Sequence, residues 1–176
     1  RIPLGSMARW FVTAEDSDGY LSRFPPFLDT EGADQSAEYL GTVVADPDID
    51  TELPLMHWYT DDERNSRTRT GARASVFYAG EFYDNIFVRQ RGGATNGQSQ
   101  KFVFNKAYPI YVNDDLPSVS ELNLNAQGGD ATFLRQPLAF EAYRWGGAPS
   151  CLSFLTLMIL NGDDDRTGVL IEQVDD

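Results

Sequence analysis

The stretch ASVFYAGEFYDNIFVRQRG, Ala74 to Gly92, constrains the fold more than any other part of the chain. Two aromatic-rich runs flank Ala79-Gly80, and extended runs joined by a glycine turn predict a β-hairpin. A second hairpin signal comes late, in CLSFLTLMIL, the turn NGDDDRTG and VLIEQV. Asn-Gly between apolar runs is a strong hairpin marker, and the Asp163 to Asp165 triplet solvates the tip. Shorter runs extend the pattern. LPLMHWYT alternates, with Leu53, Leu55, His57 and Tyr59 on one face. KFVFN continues the sheet after the first hairpin, while YPIYV and LNLN are short strand candidates.

One segment, GDATFLRQPLAFEAYRWGGAP, predicts a helix. Asp130 can cap it, Leu134, Leu138 and Glu141 or Ala142 recur at helical spacing, and Gly146-Gly147 before Pro149 stops it. Pro137 either opens a shorter helix capped by Gln136 or kinks a longer one. The expected class is α+β, an antiparallel sheet with one principal helix. Residues 1–39 read as an irregular lead-in, and residues 40–176 as the domain proper, starting with a strand near Tyr39 to Val44. The opening RIPLGSM reads either as a tag remnant (residues 1–6) ahead of Met7 or as native sequence.

Several function classes are excluded or left without support. A formal charge of −13 argues against a nucleic-acid surface, which needs clustered Lys and Arg. No run approaches the ~18 apolar residues of a membrane span, and no signal peptide is visible. Cys151 is the sole cysteine and His57 the sole histidine, so no internal disulfide, cysteine zinc site or three-histidine zinc site can form. His57 sits in a strand pattern between Met56 and Trp58, where a structural role is expected over a catalytic one. DPDID, Asp46 to Asp50, lacks the glycine and glutamate of a calcium loop, since Thr51 and His57 stand there. A solvated turn is expected instead. The 27 acidic residues make any choice of a catalytic carboxylate pair arbitrary.

The remaining chemistry lies in NIFVRQRGGATNGQSQKFVFN, Asn85 to Asn105. Glycines let backbone approach a ligand, and their amides can converge on an anion. Lys101 follows on a strand, and Glu141 lies on the predicted helix. A strand lysine steadied by a helix glutamate is how protein kinases hold nucleotide phosphates. From spacing alone, the Arg-Gly-Gly stretch reads as a plain turn, and Lys101 and Glu141 as ordinary surface charges.

GEFYDNIFVRQRGGATNGQSQKFVFN, LNLNA, TFLRQPLAFEAYRWGGAPS and VLIEQVDD, in this order, resemble the CotH kinase family, named for a spore-coat protein. The resemblance covers about residues 40 to 176, and TRTGARASVFYAGEFYDN resembles exported bacterial members, which favours an extracellular or cell-surface location. It implies the N-terminal lobe of an atypical protein-kinase-like fold. It also implies transfer of phosphate from ATP, with magnesium, to serine in a protein acceptor. Carried over by position, Arg89, Arg91, Gly92, Gly93 and Lys101 would face the nucleotide phosphates. Glu141 would sit on the C-helix equivalent, and Glu172, Gln173 and Val174 would form the hinge beside adenine. The family often has Lys-Lys or Lys-Ser where this chain has SQKFVF, so the lysine register can slip by one. Its catalytic and metal-binding aspartates fall after Asp176, so no catalytic or metal residue is assigned within the chain. The expectation is an N-terminal portion cut at the hinge and inactive by itself. The alternatives are a non-catalytic surface or coat module for protein contacts and, more weakly, a glycan-binding module suggested by the 12% aromatic content.

Overall fold

The computed structural model describes residues 2–26, 35–92 and 99–173. In chain order the elements are β1 (Met7–Trp10), β2 (Val12–Glu15), β3 (Leu21–Phe24), β4 (Leu40–Val43) and β5 (Leu55–Tyr59). A short helix α1 (Glu63–Ser66) leads to β6 (Ala72–Tyr78), β7 (Glu81–Gln90), β8 (Gln100–Val103) and β9 (Glu121–Asn125). Helix α2 (Arg135–Trp145) and the hairpin of β10 (Ser153–Leu160) and β11 (Asp164–Glu172) complete the order.

Seven strands close into a barrel in the order β10-β11-β9-β8-β7-β6-β5. The closing seam is the one parallel pair among the described strands, Leu157 against Leu55 through Leu160 against Trp58. This corrects the expected α+β class, an antiparallel sheet with one principal helix resembling the N-terminal lobe of an atypical protein-kinase-like fold: the chain is mostly β and closes into a seven-strand barrel, with no open edge at β5 or β10 and no kinase-like lobe. Closure removes the unpaired edges that an open sheet must otherwise protect. Helix α2 does not form a second layer of the core, because none of its residues is buried.

Both anticipated hairpins are present for the anticipated reason. Ala79 and Gly80 have φ of 51° and 85°, and Asn161 and Gly162 have 53° and 87°. Two successive positive values mark the turn whose twist matches the flanking strands, and Asn and Gly adopt it at least cost. Inside the barrel, Met56, Trp58, Val76, Val88, Phe102, Leu122 and Met158 expose no surface. Trp58 meets Phe102 edge to face at 5.5 Å, and burying each such side chain stabilises by about 1.5–3 kcal/mol. YPIYV forms only the isolated bridge of Ile110 to Val119 rather than a strand.

The lead-in is more ordered than its composition implied. β1 pairs with β4, Met7 to Val43 through Trp10 to Leu40, and ties the chain start to the barrel's flank. β2 and β3 form a separate two-stranded ribbon, nearly all of it exposed. At DPDID the Asp46 carboxylate accepts from the Asp48 amide at 3.0 Å, a local turn as expected.

Candidate functional site

Cross-strand register decides which side chains share a face. Arg89 lies opposite Lys101, Lys101 opposite Asn123, and Asn123 opposite Ile171. This row runs across four strands on the outside of the barrel, while the next row, Val88, Phe102 and Leu122, points into the core. Cations separated along the chain are thus neighbours in space.

Each member of the row is held differently. The Lys101 ammonium lies 2.5 Å from Glu121 Oε2, with side chains 13% and 29% exposed. Arg91, one step past β7, donates from Nη1 to Asn125 Oδ1 at 2.5 Å. Asn125 in turn donates to Gln136 Oε1 at 3.1 Å, which links the strand to the first turn of α2. Arg89 is half-buried and makes no ion pair or hydrogen bond among the described residues. Asn123 is fully buried, donates to Gln173 Oε1 at 2.9 Å, and leaves its Oδ1 without a partner. A buried acceptor in that state costs ~1–3 kcal/mol unless a ligand or water meets it. Among the described residues three cations face one carboxylate here, on a chain whose formal charge is −13. Chemically this is an anion-accepting face: arginine offers a planar fork to phosphate or carboxylate, and lysine a compact charge.

Gly92 turns the chain immediately beyond the row. Its φ is +66°, and a Cβ there would meet nothing within 4 Å, so conformation rather than space favours glycine. Its carbonyl accepts from Arg69 Nη2 at 3.0 Å, and the Arg91 amide donates to Ser99 O at 2.8 Å. Gly93 and Val174 lie outside the described residues.

The anticipated pairing of Lys101 with Glu141 is not formed, and this is a correction. Glu141 binds Arg144 at 2.6 Å, three residues along α2, while Lys101 takes its carboxylate from β9. The helix also begins differently from either expectation. Pro137 is the third residue of α2, still within the first turn, where a missing N–H costs nothing. Asp130 Oδ2 accepts from the Arg135 amide at 2.8 Å, so it does hold the helix start. Hydrogen bonds from Thr132 and from that amide hold the Asp130 carboxyl below its ordinary pKa. Glu172 is structural: Oε2 accepts from the Leu152 amide at 3.0 Å. Of the two described hinge residues, Gln173 joins the row.

The residues that sequence reasoning missed are Glu121, Asn123 and Asn125. Their signal was present, because ELNLN alternates polar and apolar and puts these three on one face. What was missing was the strand they lie beside. His57 is 4% exposed on the outer face between Phe77 and Ile159, with Nδ1 unpartnered, and burial lowers its pKa. It takes no part in the row.

No protein-family model matches the chain, and no curated protein does. The likeness to CotH-like kinases is a resemblance of motifs alone.

Proposed function

We propose that the Arg89–Arg91–Lys101 face binds the phosphates of ATP, and that the chain contributes this binding to a CotH-like atypical protein serine kinase. The observation that carries the reading is the shared outer row of Arg89 and Lys101, with Arg91 at its end, beside the carboxylate of Glu121. The residue set is the one that the family motifs assign to phosphate binding. Glu121 takes the steadying role that the motif analogy gave to Glu141, fixing a flexible stem from the neighbouring strand. Magnesium would accompany the triphosphate, whose charge it neutralises.

The test is calorimetric titration of ATP into the wild-type chain, Arg89→Ala and Lys101→Ala. Hydrogen bonds to charged groups contribute about 1.5–3 kcal/mol, so each variant is expected to weaken binding roughly 10-fold or more. Equal affinity in all three would refute the reading. A second reading, a surface module for protein contacts, draws on one observation. Leu138, Tyr143 and Trp145 on α2 are 62%, 58% and 83% exposed. That reading predicts no ATP heat at all.

A further inference from the structure

A second concave site lies on the barrel flank between β1 and parts of β5, β6 and β7, away from the Arg89 end of β7. The cleft holds about 510 Å³, within the size range of small-molecule sites. Its floor is a β-bulge. The register of β6 against β7 shifts between Ala74 and Val76, and Asn85 adopts φ +55° within the strand. A non-glycine residue in that conformation costs on the order of 1 kcal/mol and persists only where its surroundings fix it.

Those surroundings are well defined. Ser75 Oγ donates to Asp84 Oδ1 at 2.8 Å, while Asp84 Oδ2 accepts from the amides of Glu38 and Tyr39 at 3.0 and 2.9 Å. Arg73 donates to Asn85 Oδ1, and Asn85 Nδ2 donates to Ser36 O at 2.8 Å. The floor is therefore preorganised, and its polar groups are matched. The walls are not committed in the same way. The carboxylates of Glu38 and Asp61 make no hydrogen bond or ion pair among the described residues. The Arg9 guanidinium lies 4.8 Å over the Tyr39 ring, stacked but with its N–H edge available.

The lining selects its ligand by exclusion. A phosphate or carboxylate would meet Glu38, Asp61 and Asp84, and an ammonium would meet Arg9 and Arg73. A hydrocarbon would leave the polar walls unpaired, at ~1–3 kcal/mol for each buried group. A neutral polyol avoids all three penalties, because every hydroxyl both donates to a carboxylate and accepts from a guanidinium or amide. We propose that this cleft binds a neutral saccharide of one or two rings, with Asp61 and Glu38 accepting from its hydroxyls and Arg9 donating to them. The site is separate from the phosphate face and does not depend on it.

The experiment is an amide-shift titration of the full chain by NMR. The probes are glucose, galactose, mannose, N-acetylglucosamine, maltose and cellobiose, with glycine and inorganic phosphate as controls. At least one saccharide should shift the Thr60, Asp61, Ser75 and Asn85 amides saturably. Asp61→Asn and Arg9→Gln, both at exposed positions, should each weaken that binding about tenfold while leaving distant amides unchanged. The proposal is overturned if no saccharide moves these amides, if glycine or phosphate binds there instead, or if Asp61→Asn and Arg9→Gln both bind as well as the wild type.

Discussion

Replacing Glu121 by alanine removes the carboxylate that holds the Lys101 ammonium at 2.5 Å. With side chains 13% and 29% exposed, the pair stands between two limits. An exposed ion pair contributes ~0.2–1 kcal/mol, while breaking a buried one costs ~3–5 kcal/mol. An intermediate loss of about 2 kcal/mol follows. For a chain of this length each kcal/mol moves the melting temperature by ~2–4 °C, so Glu121→Ala should melt about 4–8 °C lower. Glu141→Ala should leave the melt close to wild type, because its pair with Arg144 is local and exposed on α2. Thermal denaturation of Glu121→Ala, Lys101→Met and the double variant gives the coupling directly, expected at ~1–2 kcal/mol. A parallel cycle between Lys101 and Glu141 should give none. The reasoning fails if Glu141→Ala destabilises as much as Glu121→Ala, or if the coupling lies with Glu141.

Two further outcomes test the barrel and its outer layer. A Cβ at Gly168 would lie 2.3 Å from Leu124 Cδ1 inside the closed wall, so Gly168→Ala should cost ~1–3 kcal/mol, read as a lower urea midpoint. An unchanged midpoint would mean the wall is open there. Burial lowers the His57 pKa from 6.5, so as pH falls through about 6.5 the unfolded chain takes up a proton that the folded chain refuses. Stability present above that pH is lost below it until the lowered folded value is passed, at no more than ~1.4 kcal/mol per pH unit. His57→Gln should flatten this share of the slope between pH 7 and pH 5, taken as roughly the titration window, and parallel slopes for the two proteins would contradict it.

Much of the local structure was legible because its causes are local. Ala79-Gly80 and Asn161-Gly162 announce turns that need two positive φ values, and both turns formed. Closure of the barrel was not legible. Period-two alternation identifies a strand but not its partner, and Leu55 meets Leu157 about a hundred residues away. β2 and β3 went unread because exposed strands carry no hydrophobic pattern. Helix α2 shows the opposite failure. Leu134 and Leu138 recur at helical spacing, which promised a buried face, yet they are 41% and 62% exposed. The site divides along the same line. Arg89 and Lys101 were singled out by the family resemblance, while spacing alone left Lys101 an ordinary surface charge. The carboxylate that serves Lys101 depends on which strand lies beside β8, and register alone decides that.

The dependence of affinity on phosphate tests the central claim most directly. Binding of ATP and of adenosine is compared in the wild type and in Lys101→Ala, at low salt, where charge contacts are least screened. The account predicts that ATP binds the wild type far more tightly than adenosine does, that added salt narrows the gap, and that Lys101→Ala narrows it roughly 10-fold or more. Adenosine binding as tightly as ATP, or a gap untouched by the loss of Lys101, would contradict it.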